Sequence, residues 1–81
     1  MMAKVTLLYF ASLRDAAGVD SETVDTGAPD LAALYEEARW RHGFRLPVGH
    51  LRVAVDGAFA QWKDGVRDGG EVAFIPPVSG G

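Results

Sequence analysis

The chain contains no cysteine, which removes disulfide staples and thiolate metal sites from consideration. It has no apolar run long enough to span a bilayer. Basic residues are outnumbered: 8 Lys and Arg against 11 Asp and Glu give a net charge of −3, with both signs interspersed. No nucleic acid and no membrane is therefore expected as a partner. Neither G-x-x-x-x-G-K-[ST] nor G-x-G-x-x-G at a strand-to-helix turn is present, so ATP binding through those motifs is excluded, and Gly69-Gly70 reads as a tight turn. Imidazole is scarce. His42 suits a helix C-terminus and His50 a loop, and neither has the company that a metal or catalytic site needs. The carboxylates are scattered over turns and exposed faces without forming an acid/base pair. The first five residues, Met1-Met2-Ala3-Lys4-Val5, lack the apolar core and cleavage site of a signal peptide. The expectation is a soluble cytoplasmic protein with no metal and no cofactor of its own.

Apolar residue is plentiful, at 48% of 81 positions, enough for one domain with a modest core. Residues 3–10 (AKVTLLYF) read as a strand, with Val5, Leu7 and Tyr9 on one face and Thr6, Leu8 and Phe10 on the other. Both faces carry apolar side chains, which predicts a central strand at least partly covered on each side. Residues 11–17 form a short helical turn stopped by Gly18. Residues 19–26 read as an edge strand whose acids, Asp20, Glu22 and Asp25, form a solvated face. Asp30 caps the one main helix, where Leu31, Leu34, Tyr35 and Ala38 share a face. Glu37 and Arg41 make an i,i+4 pair in the favourable order, and Gly43 ends the helix. Trp40 falls opposite the apolar face, where it covers the following loop or touches a partner.

Residues 44–49 read as a loop, 51–55 as a strand, Asp56-Gly57 as a two-residue hairpin turn, and 58–62 as the returning strand carrying Phe59. Val66 anchors the loop between two further turns. Residues 71–75 form the last strand, with Val72 and Phe74 on one face and Ala73 and Ile75 on the other. The order ββ-α-ββ-β predicts an α+β roll, a mixed sheet of about five strands packed on one main helix. The two most apolar strands, first and last, belong side by side at its centre. Phe10 then comes near the end of the last strand.

That last strand runs into Pro76-Pro77-Val78-Ser79-Gly80-Gly81. The prolines end sheet pairing and project the chain stiffly. Six residues reach at most about 20 Å, at about 3.3–3.6 Å each. Gly80 and Gly81 have no Cβ, so the tip fits a channel that any side chain would block. A Gly-Gly end alone is also what a frayed terminus looks like; its place after a strand and a stiff spacer favours a reactive tail. Joined to AMP, the Gly81 carboxylate becomes an electrophilic carbonyl. Attack by sulfur gives a thiocarboxylate, and attack by an amine gives an amide. Ordering such a tail in a partner costs roughly 1–2 kcal/mol per residue, so the body must add an apolar docking patch beside it. Strand parity nominates Phe10 and Ile75, with Phe59 from the hairpin.

Phe10-Ala11-Ser12-Leu13-Arg14 with Gly18, then Val53-Ala54-Val55-Asp56-Gly57, then the fourteen residues from Asp68 to Gly81 resemble the MoaD family. These are the small, sulfur-carrying subunits of molybdopterin synthase, with a ubiquitin-like β-grasp fold. The resemblance implies a β-grasp domain over residues 1–75 and an extended tail over 76–81. It implies that Gly81 is adenylated by an E1-like (MoeB-like) enzyme using ATP and receives sulfur by way of a sulfurtransferase. Its thiocarboxylate then enters a MoaE-like large catalytic subunit and gives sulfur to a cyclic pyranopterin precursor of the molybdenum cofactor. Gly80 would share the reacting tip, and Phe10, Phe59, Ile75, Pro76, Pro77, Val78 and Ser79 would meet the partner. Asp56 and Gly70 depart from the family, which usually has Asn and Asp at these turns. A thiamine-type sulfur carrier, a ubiquitin-like protein modifier and a plain β-grasp interaction module remain as alternatives.

Overall fold

Alternating apolar side chains in the first and last strands, and an i, i+3, i+4, i+7 stripe in between, require a sheet with one face closed by a helix. The computed structural model describes residues 2–77 and has that arrangement. In order it runs β1 (Ala3–Tyr9), α1 (Ala11–Ala17), β2 (Ser21–Thr26), α2 (Leu31–His42), a 3-10 turn (Val48–His50), β3 (Arg52–Val55), β4 (Ala58–Ala60) and β5 (Glu71–Ile75). The sheet order is β2-β1-β5-β3-β4, with β1 and β5 parallel and the other pairs antiparallel. This is the ubiquitin-like β-grasp roll expected from the sequence, with β2 at an edge and β1 beside β5 at the centre. Among the described residues no helix is long and apolar enough to cross a membrane.

Val5, Leu7 and Tyr9 of β1, Val53 of β3, and Val72 and Phe74 of β5 are buried against Leu31, Leu34, Tyr35 and Ala38 of α2. Phe74 lies at the middle, edge-on to Tyr35 at 5.1 Å and stacked with Trp62 at 6.1 Å. The opposite face of the sheet is open. Among the described residues no element crosses beneath Thr6 and Leu8, so the second face of β1 is covered only in part, by neighbouring side chains. The returning strand also stops early, at Ala60, since Trp62 leaves the sheet edge to pack on the core.

Local signals in the sequence operate as expected at the helix ends. Asp30 accepts a hydrogen bond from the Ala33 amide at 2.8 Å, and Gly18 and Gly43 close α1 and α2 in the left-handed region. At the hairpin, Asp56 and Gly57 have φ of 51° and 87°, the pair of positive values a tight two-residue turn needs. Asp tolerates this conformation, as Asn does, so the first family departure fits its turn. At Gly70 a Cβ would lie 3.1 Å from the Arg67 carbonyl oxygen. Glycine is therefore at ease in the second.

Two expectations about charge fail. Glu22 does not belong to a solvated face: its Oε2 accepts from the Tyr9 hydroxyl, faces His42 Nε2 at 2.6 Å and accepts from Arg41 at 3.2 Å. The register places Glu22 opposite Leu7, on the helix-covered side, within reach of the last turn of α2. The Glu37–Arg41 pair does not form, because each finds a better partner. Arg41 goes to Glu22, and Glu37 accepts from the buried Thr26 hydroxyl at 2.6 Å. These contacts tie the edge strand to the helix.

Burial alone would raise the Glu22 carboxyl, but hydrogen bonds from Tyr9, His42 and Arg41 outweigh it and hold it at about 2, below its ordinary 4.5. Burial and the Glu22 hydrogen bond push the Tyr9 phenol above its ordinary value, so it stays a donor. A depressed carboxyl stabilises the fold above its unfolded value and loses that contribution as pH falls through its folded one. Denaturant titrations should therefore show stability falling between pH 4.5 and about 2. In Glu22→Gln that fall should shrink, with a loss of about 2–3 kcal/mol at neutral pH. Equal acid sensitivity in both proteins would show that the cluster contributes nothing.

Candidate tail-docking face

The chain leaves the domain from β5, which is paired along both edges. Tyr9 lies opposite Phe74, so Phe10, the next residue, comes beside Ile75; on the other edge Arg52 lies opposite Ile75 and Ala54 opposite Ala73. Ala54 in turn pairs with Phe59 across the hairpin. These registers gather Phe10, Phe59 and Ile75 on the open face of the sheet, around a hollow whose floor is Leu8, Ala54 and Ala73. The rings are unburied, Phe10 at 44% and Phe59 at 72% exposed, while Leu7, Tyr9, Val53 and Phe74 on the other face are buried. Solitary exposed apolar residues need no explanation, but two exposed rings converging with half-buried Ile75 at one strand end make a candidate docking surface.

Local backbone holds the face in place. Ala11 has φ of 50°, which turns the chain sharply after Phe10 and starts α1. Such a conformation costs a non-glycine residue roughly 1–2 kcal/mol. The hairpin turn is pinned to the start of β5: the Asp56 amide donates to the Glu71 carbonyl at 2.8 Å, and the Glu71 amide donates to the Asp56 carboxylate at 3.0 Å. On the other side the Lys4 amide donates to Asp68 at 2.7 Å, and the Thr6 amide donates to the Gly70 carbonyl at 3.0 Å. At the far end Pro76 is buried and Pro77 exposed, so the chain is held for one residue past the strand. Val78, Ser79, Gly80 and Gly81 lie outside the described residues.

The face also holds a charge that sequence reasoning passed over. The Arg52 guanidinium lies 5.9 Å from the centre of the Phe59 ring, within cation–π range. Among the described residues it has no acidic partner within 4 Å. Strand parity carried the signal, since Arg52 shares the outward set with Ala54, but its neighbour across the sheet is knowable only from the register. Among the described residues no catalytic constellation accompanies the face. His50 is exposed beside the tail root, His42 is engaged with Glu22, and the described residues hold no metal-ligand cluster.

The family model described as ThiS family matches residues 7–81. The molybdopterin synthase sulfur carrier subunit of Escherichia coli K12 is 34% identical, over 95% of this chain and 99% of its own. Small archaeal modifier protein 1 of Haloferax volcanii has the same fold, with a TM-score of 0.80 at 26% identity over 98% of this chain and 100% of that one. Subunit 1 or 2 of the Helicobacter pylori molybdopterin-converting factor, solved as a complex of the two, matches with a TM-score of 0.62 at 23% identity, each chain covered fully at 100%. At that identity the likeness concerns the fold.

The two faces of the sheet differ in what a substitution costs. Phe59→Asp should lower the free energy of unfolding by no more than about 1 kcal/mol, whereas Phe74→Ala should cost about 3–5 kcal/mol. Urea melts of the two variants check this, and a collapse of Phe59→Asp would make Phe59 part of the core.

Proposed function

We propose, from the premise that this chain belongs to the ThiS family and is a MoaD-like sulfur carrier, that it serves as the small subunit of molybdopterin synthase. In this reading the Gly81 carboxylate attacks the α-phosphorus of ATP within a MoeB-like, E1-type enzyme, releasing pyrophosphate and leaving an acyl adenylate. A sulfur nucleophile delivered by a sulfurtransferase then attacks the carbonyl and expels AMP, so that a C-terminal thiocarboxylate results. The tail carries that sulfur into a MoaE-like large subunit and delivers it to a cyclic pyranopterin precursor. ATP belongs to the activating enzyme; this chain supplies the carbonyl and the docking face. An ATP-dependent cycle of this kind belongs in the cytoplasm.

One observation carries the reading: Phe10, Phe59 and Ile75 meet on an open face at the root of a segment ending in Gly-Gly. A tip without side chains gains little by burial, so affinity must come from the body, and the apolar surface lies where the tail departs. Arg52 adds specificity. Covering Phe59 brings a partner over a cation, and a guanidinium buried without a counter-charge is costly. The partner surface should therefore present a carboxylate there. The 26% identity to an archaeal modifier protein favours a second reading, in which a lysine amine takes the activated carbonyl instead of sulfur.

Incubation with ATP, an E1-type activator and a sulfur donor should exchange one oxygen for sulfur at the C-terminus, read by intact-protein mass spectrometry. Deleting Gly81 should abolish the exchange, and its persistence would move the chemistry elsewhere; lysine adducts without any thiocarboxylate would support the modifier reading. Phe59→Asp should weaken binding to the large subunit at least about tenfold, as loss of a buried aromatic anchor does. Arg52→Glu should weaken it in a manner that salt partly relieves.

A further inference from the structure

The open sheet face leaves one prominent side chain unexplained. Trp40 is 88% exposed, on the outer side of α2. It neither covers the following loop nor touches the core, and it lines a groove with Gly27, Ala28, Pro29, Ala33, Glu36 and Glu37. Ala33, Glu36, Glu37 and Trp40 follow the i, i+3, i+4, i+7 spacing, so α2 carries a second stripe besides the one facing the core. Its residues are one small, two acidic and one large aromatic.

The charges around this groove are sorted by sign. Both charged residues lining it are glutamates. Of the nearby cations of the helix, Arg41 is bound to Glu22, while Arg39 donates to the Phe44 carbonyl at 3.3 Å and pairs with Glu36 at 3.5 Å, which leaves Glu37 without a cationic partner among the described residues. Glu37 is held in place through one oxygen by the Thr26 hydroxyl, which leaves its other oxygen available. A flat indole beside two carboxylates, above a shallow floor of Ala28, Pro29 and Ala33, suits a side chain with an apolar stem and a cationic head. The stem packs on the ring and the small residues, and the head meets the ring face and the carboxylates.

We infer that the Trp40 groove is a second docking site, which takes a lysine- or arginine-bearing segment of a partner protein. It shares no lining residue with the hollow on the open sheet face. Helix and open face lie on opposite sides of the sheet, so both can be occupied at once. Where the proposed function holds, this solves a problem of transfer. Activating enzyme and synthase must take the same tail in turn, and a grip on the helix holds the carrier without competing for it.

The test is an NMR titration of the full chain with a capped alanine–lysine peptide, using an alanine–glutamate peptide of equal length as control. The lysine peptide should shift the Trp40 indole signal and the amides of Gly27, Ala28 and residues 33–40, leaving Phe10, Phe59 and Ile75 unmoved. Trp40→Ala, at a fully exposed position, should fold normally and raise the Kd about tenfold, and Glu36→Gln with Glu37→Gln should raise it several-fold. Equal shifts from both peptides, shifts centred on the open sheet face, or unchanged affinity in Trp40→Ala would each overturn the inference. So would self-association abolished by Trp40→Ala, since the occupant would then be a second copy. No step requires sulfur transfer, so this result and that of the thiocarboxylate assay are independent.

Discussion

Everything in this molecule depends on the pairing of the last strand along both its edges. A C-terminal strand at a sheet edge has half its ladder bonds and frays readily. Here β5 lies between β1 and β3, in parallel with one and antiparallel to the other, and its start is tied to the hairpin turn and to the loop before it. Phe74, in the middle of that strand, is the centre of the aromatic core. The root of the tail is thus tied to neighbours on both edges and to the core. In the proposed reading, a partner that took the tail would pull against the core and not against a loose end.

The central placement also determines what lies near the tail. A strand with neighbours on both sides brings residues from each to its exit: Phe10 follows from the β1 register, and Arg52 and Phe59 from the hairpin side. Three sequence segments far apart in the chain therefore form one surface without any loop having to be ordered on binding. The helix covers the other face, so Phe10 and Phe59 on the open one remain accessible. Val72 and Phe74 of β5 are sealed against the helix, while Ala73 and Ile75 form part of the hollow on the open side.

Much of this was legible in the sequence because the signals are local. Asp30, Gly18, Gly43 and Asp56-Gly57 each act through their own backbone, and β5 begins and ends where its apolar alternation does. The opposite facing of Ile75 and Phe74 followed from period two, whatever the strand pairs with. What could not be read depends on which strand lies beside which. Glu22 looks like any edge-strand acid until the register sets it opposite Leu7 and beneath the last turn of α2. The expected Glu37–Arg41 contact had correct spacing, yet a helical ion pair of about 0.3–0.5 kcal/mol yields to any partner that is better desolvated, and Thr26 and Glu22 are such partners. Val78 to Gly81, on which the tail chemistry rests, lie outside the described residues.

The polar contacts at the end of α2 serve the same end as the paired strand. Glu22 draws Tyr9, Arg41 and His42 together at the end of β1, and the residue after Tyr9 is Phe10. Tyr9 faces the helix and Phe10 the open side, so the cluster that fixes the first also limits where the second can go. Three donors on one carboxylate bind it firmly because Glu22 is partly withdrawn from water. A half-exposed ring such as Phe10 has limited packing to orient it, so much of its position comes from the backbone, and the backbone is held from behind. The helix face of the sheet therefore does more than close the core. It also steadies the backbone under the far side, and in the proposed reading that would lower the ordering cost of docking.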